Sequence, residues 1–327
     1  MRAARRRRPA APAVLLAAAL LAGCSGPGGA AGGEPALGRV EVAPATASLS
    51  FPMDAYTDTE AVRIRMGRVQ QALVSRCMAR YGFTYEGPAA VVPASDSASA
   101  SAEGAPEDRH RYLFGLAGPD HAAAHGYDKS AGRGAPPKPP APQLGDSAYA
   151  VMNDAQRGAR DGQAPDAASE EEAAHVDSGV TAAGRKVPPG GCGREAFRKL
   201  YAPGKDSVDL LFAFGLVSEA HERSERDSRV VAVLAAWSTC MEKSGYGGIR
   251  TPYDVVEEAG LADDKGGPRA VTAARADVAC KSEVNLVGVR AAVEKAYQER
   301  LVEEHAETLA LYGRQREARF RLAASVA

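Results

Sequence analysis

The sequence predicts a mainly α-helical protein of disulfide-stapled helical units, with long low-complexity loops and few short strands. Three observations predict it. Apolar residues recur at helical spacing in several long segments. Four cysteines beyond the amino-terminal segment occur in two sets of similar local sequence. Between the periodic segments lie stretches too poor in large apolar residues to build a core.

The chain opens with Arg2, Arg5, Arg6, Arg7 and Arg8, and from Ala10 to Ala22 it is apolar. A positive stretch followed by a short apolar one reads as a signal peptide over residues 1–23, since a spanning helix needs roughly 20 apolar residues. It ends Leu21-Ala22-Gly23-Cys24, small residues before a cysteine, as a lipoprotein signal peptidase requires. Cys24 is therefore the expected lipidation site, its thiol accepting a diacylglyceryl group. Two acyl chains hold a protein at a membrane where one is marginal. An uncleaved anchor lacks the length, and an ordinary signal peptide needs no cysteine there. Residues 24–37, rich in glycine and alanine, read as a flexible leash.

Residues 38–205 form the first expected helical unit. Val62, Met66, Val69, Leu73 and Cys77 trace one helical stripe, and Gly82 supplies its stop. The unit carries three inserts expected to be disordered, at about 89–108, 130–147 and 157–190. The best strand signals are Arg39-Val40-Glu41-Val42 and the short Phe83-Thr84-Tyr85. His121 and His125 sit at i and i+4 on a short helix begun by Pro119 and ended by Gly126. That spacing can chelate zinc, but a site needs further ligands, so two solvated surface histidines are the favoured reading.

Residues 206–327 form the second unit. One helix is expected from Asp206 to Glu225, and another where Val230, Val233, Leu234, Trp237 and Met241 recur after Asp227 or Ser228 as a cap. Trp237, the only tryptophan, is expected in the core beside Cys240. The longest pattern runs from about Asp277 to Leu322 without proline, and reads as one long helix. Arg314, Arg316, Arg319 and Arg321 then complement a helix carboxyl end, with contact to anionic lipid or wall polymer as the sharper alternative.

Cys77 and Cys240 share the pattern S-x-C-M-x-[basic]-x-G-[aromatic], and Cys192 and Cys280 are each followed three residues later by glutamate. The echo suggests a degenerate two-fold repeat: a helix ending in the first pattern, then C-x-x-E opening another. Chance similarity is the alternative. Pairing within units gives Cys77–Cys192 and Cys240–Cys280, and an even cysteine count in an exported chain fits two disulfides.

No Gly-x-Ser-x-Gly, Ser-x-x-Lys, phosphate-loop or dinucleotide pattern is present. Oxidised cysteines cannot be nucleophiles, and pairs such as Asp263-Asp264 and Glu257-Glu258 lie in polar stretches. The chain has 40 basic and 41 acidic side chains; without the five signal arginines the balance is 35 against 41. An acidic mature chain argues against nucleic acid as a partner. The alanine, glycine, proline and arginine content fits a GC-rich genome.

The Cys24 signature, the doubled C-M-x-x-x-G-aromatic pattern, and Asp277-Val278-Ala279-Cys280 followed by Asn285-Leu286-Val287-Gly288-Val289 resemble secreted lipoproteins of streptomycetes and related actinobacteria. The resemblance covers most of the mature chain outside the inserts and carries no catalytic residues with it. It implies the lipid anchor and the disulfides.

The expectation is a lipid-anchored module on the extracytoplasmic face of the membrane, non-enzymatic and without cofactor, that binds a protein of a membrane- or wall-associated complex. A small-ligand-binding protein is the alternative. A metal-dependent hydrolase using His121 and His125 is the third reading.

Overall fold

The computed structural model describes residues 33–87, 110–129, 143–153 and 167–326. The signal segment, Cys24 and the insert at 89–108 lie outside the described residues. Residues Pro35–Ala327 form one compact unit. No described helix is long and apolar enough to cross a membrane.

Helix α1 (Glu60–Ala79) starts where the Thr59 hydroxyl accepts from Val62 N, and buries Met66, Val69, Val74, Cys77 and Met78. Short helices α2 (Arg111–Phe114) and α3 (Pro119–His125) follow, then α4 (Asp146–Asn153) and α5 (Glu170–Ala173). A two-stranded hairpin, β1 (Thr181–Ala182) and β2 (Arg185–Lys186), pairs Thr181 with Lys186 and leads into α6 (Gly191–Tyr201). The rest is helical: α7 (Phe212–Glu225), α8 (Ser228–Lys243), α9 (Val255–Glu258), α10 (Pro268–Glu283), α11 (Leu286–Glu304) and α12 (Ala306–Val326).

Several expectations need correction. The expected insert at 130–147 runs into the start of α4, which buries Val151 and Met152 beyond it, and part of the insert at 157–190 is ordered, with Val187 after the hairpin buried against α6. Residues 39–42 and 83–85 are not strands; the only paired strands among the described residues are in the hairpin. Residues 35–37 do not belong to a leash, because Arg229 Nη1 donates to Pro35 O (2.9 Å) and Leu37 packs on the core.

The expected long helix from 277 to 322 is three helices. Asn285 adopts the left-handed conformation (φ 55°) between α10 and α11, and His305 separates α11 from α12. Asparagine tolerates that conformation better than most residues. Its side chain is then free of the helix. Asn285 Oδ1 accepts from Ala43 N (2.7 Å), and Nδ2 donates to Glu41 O (2.9 Å). A strap of residues 41–47 thus lies on the start of α11, where a Cβ on Gly288 would fall 2.0 Å from Glu41 O.

Arg316 and Arg319 do not sit at a helix end either, since α12 runs on to Val326. Both donate to Asp58, at 2.7 and 2.8 Å, and Arg319 is only 5% exposed. They join the last helix to the approach of α1. Arg76 Nη2 adds a bond to Val326 O (2.7 Å).

Two disulfides, Cys77–Cys192 and Cys240–Cys280, join the helices, each with its Cα atoms 5.6 Å apart. The shared pattern around Cys77 and Cys240 has one local cause. Gly82 (φ 79°) and Gly245 (φ 92°) end their helices in the left-handed region, and the following aromatic N–H bonds back to a methionine carbonyl. Phe83 N donates to Met78 O (3.2 Å), and Tyr246 N to Met241 O (2.9 Å). The second half of the echo differs. Cys192 opens α6, whereas Cys280 lies in the last turn of α10, so the repeat does not extend to these helices.

Non-reducing peptide mapping should join Cys77 to Cys192 and Cys240 to Cys280. The bridges close 115 and 40 residues. On the chain-entropy account they contribute roughly 5 and 4 kcal/mol respectively. Denaturant titration of the two Cys→Ala double variants should therefore show the larger loss for Cys77/Cys192.

Candidate functional site

The chemistry of this fold concentrates on α10 and α11. Asp277 is fully buried, and Lys281, one turn later, is 1% exposed. Lys281 Nζ donates to Asp277 Oδ2 (2.8 Å) and to Leu116 O (2.5 Å). Trp237 Nε1 donates to Asp277 Oδ1 (3.0 Å), and Tyr127 OH to Oδ2 (3.2 Å). Burial pushes the Asp277 carboxyl up and the Lys281 amine down from their ordinary ranges. Three donors converging on one carboxylate oppose that push, as an anion requires in an apolar surround.

Above this pair lies a cavity of about 540 Å³. One wall is the strap from Ala43 to Ala47. Another is the loop Ala117–Pro119 with Ala122, and the floor is α10 from Arg275 to Ser282 together with Val287. The lining is mostly Ala, Pro and Val. Its charged members are Arg275 and Lys281, both cationic, and no acid lines it. Pockets of this size and character are ordinary for small-molecule sites.

A second polar cluster gathers around α11. Glu294 is fully buried; its Oε2 accepts from Ser224 Oγ (2.9 Å) and its Oε1 from Gln298 Nε2 (2.8 Å). His221 Nδ1 is buried 4.0 Å from Glu294 Oε2 with no hydrogen bond, and Arg290 pairs with Glu225. His110 Nε2 is 3.4 Å from Asp54 Oδ2 without hydrogen-bond geometry. Tyr112 lies edge-on to both imidazoles, with centroids 6.2 Å from His110 and 5.4 Å from His221. Burial raises the Glu294 carboxyl, and burial with Arg290 nearby lowers His221. Burial also brings the Arg290 guanidinium down to about 10.

The third feature is a groove of about 410 Å³ between α1 and α7, lined by Tyr56, Met66, Tyr201 and Tyr312 among others. At its lip Leu211 and Phe214 are 65% and 63% exposed.

His121 and His125 do lie together on one face of α3, edge to face with centroids 5.3 Å apart, and His121 Nε2 is 3.0 Å from Asp128 O. Among the described residues no group of three or more His, Cys, Asp or Glu is placed to hold a metal ion. Trp237 packs in the core with Cys280, as its place on the stripe suggested, but its indole N–H also serves Asp277. Sequence reasoning missed the Asp277–Lys281 pair and the Glu294 cluster. The i, i+4 spacing of the pair was a signal, although it is shared with solvated surface pairs. Nothing matches this chain among protein-family models, curated proteins or solved structures.

Asp277→Asn should leave the Lys281 ammonium buried without its counter-charge, at a cost of about 3–5 kcal/mol. Joint replacement with apolar residues (Asp277→Leu with Lys281→Met) should cost less than either single change. Chemical denaturation followed by Trp237 emission checks both. For Glu294 the raised value means the folded chain holds the proton more tightly than the unfolded chain. That stabilising contribution is complete below about pH 4.5 and is lost as pH rises through the folded value. Glu294→Gln removes the loss. Its melting temperature relative to the parent should therefore climb between pH 4 and pH 7, as a calorimetric pH series would read.

Proposed function

We propose that this chain is a lipid-anchored module on the extracytoplasmic face of the cell membrane, and that it works by binding a protein of the envelope. The observation that carries the reading is the apolar lip of Leu211 and Phe214 over a groove lined with tyrosines. Large exposed apolar side chains beside an aromatic groove mark a contact surface. The two disulfides fit an oxidising compartment. The arginine-rich start and Leu21-Ala22-Gly23-Cys24 support the anchor.

Length adds a constraint. The compact unit begins at Pro35, and the residues from Cys24 to Glu34 reach at most roughly 40 Å. An anchored body would therefore meet partners within the membrane or close to it, rather than deep in the wall. Binding of a small ligand is the second reading, and the cavity beneath the strap favours it.

Crosslinking in intact cells, followed by purification from solubilised membranes and mass spectrometry, tests the first reading. One dominant envelope protein is expected, reduced several-fold by Cys24→Ala and by Phe214→Ser. An unchanged crosslinking pattern with both variants would remove the proposal.

A further inference from the structure

The cavity between the strap and α10 has an asymmetry of charge that identifies the kind of ligand it suits. Its walls are mostly alanine, proline and valine, with Thr46 and Ser282 the uncharged polar members, and its two charged members are both cations. They are not equivalent. Lys281 is already committed to Asp277 and to the Leu116 carbonyl. Arg275 is exposed and has no hydrogen-bond or ion-pair partner among the described residues. The cavity therefore offers one uncompensated positive charge at the edge of an apolar space. A guanidinium presents a planar fork that matches a carboxylate or phosphate.

We infer that the cavity binds a monoanionic amphiphile, its apolar body between the strap and α10 and its carboxylate or phosphate on Arg275. A neutral apolar molecule would leave the guanidinium unused. A cation would meet like charge from Arg275, with no acid in the lining to offset it. The buried Lys281–Asp277 pair contributes little net field at the cavity and serves to hold the floor rigid. Asn285 holds the strap in place as one wall of the site, gripping it on both sides of Val42, at Glu41 O and Ala43 N.

This inference rests on the second reading above and is independent of any protein partner, so loss of the crosslinked partner would leave it standing. The test uses the full chain with Cys24→Ala, to keep its own acyl groups out of the assay. Calorimetric titration and melting curves would compare laurate with lauryl alcohol and lauryltrimethylammonium. Laurate is expected to bind and to raise the melting temperature, with affinity at least tenfold above that of the other two. Arg275→Gln, an exposed change that leaves the core intact, should weaken laurate binding about tenfold. Val278→Trp, which fills the cavity, should abolish it while both disulfides still map correctly. Stronger binding of lysophosphatidylglycerol with the same Arg275 dependence would support the inference and point to a lipid headgroup as the source. Equal binding of all three lauryl compounds would overturn it, as would laurate affinity unchanged in Arg275→Gln.

Discussion

The structure turns on the buried Asp277 carboxylate. It receives Trp237 from α8, Lys281 from its own helix, and Tyr127 from the loop after α3, while Lys281 reaches on to the Leu116 carbonyl. Segments far apart in the chain are thereby fixed to one point. Leu113, Phe114 and Ala122, from the first half of the sequence, bury themselves in the same core as Trp237, Met241 and Leu286 from the second. An apolar core tolerates many arrangements of similar volume. A single carboxylate with directed donors tolerates few, because each unpaired polar group in that surround costs on the order of 1–3 kcal/mol.

A second, more exposed joint works at the other end. Asp58 takes Arg316 and Arg319, and the Arg319 guanidinium also lies 4.9 Å from the Tyr201 ring centroid. Met66, Val69, Leu200, Ala323 and Val326 pack around it. The first and last long helices and α6 therefore share one small core, and the disulfide from Cys77 to Cys192 ties α1 to α6 beside it. Both joints hold helices in place around an open cavity and an exposed apolar lip.

Much of this could be read from the sequence, for reasons that are local. The stripes of α1 and α8, the Asp227 cap, the glycine stops at Gly82 and Gly245, and the Pro119–His125 helix all depend on residues within a turn or two of one another. The cysteine pairing was expected from a two-unit repeat, and it stands although the helices of Cys192 and Cys280 do not share that repeat. The rest depends on distant partners. Asn285 breaks a continuous helical pattern because the strap supplies a use for its side chain, and nothing near Asn285 announces that strap. Arg316 and Arg319 look like terminal cations until Asp58 arrives from 258 and 261 residues away. Asp277 and Lys281 have the spacing of a surface pair, and only Trp237 and Tyr127 make them a core. The ordered hairpin at 181–186 sits in a polar stretch, because a two-residue ladder with Tyr81 OH donating to Lys186 O needs little apolar area.

The route by which the chain enters its fold has a mechanical consequence. From Pro35 the backbone is held first by Arg229, then by packing of Leu37, then by the Asn285 clasp at Glu41 and Ala43, before any long helix begins. Tension applied from the amino-terminal side would load these contacts in that order. They are few, and hydrogen bonds of this kind are worth about 1 kcal/mol each. The disulfide-joined helices lie behind them. Under a pull the strap would therefore yield before the body does, and the cavity would lose a wall before any long helix unfolds.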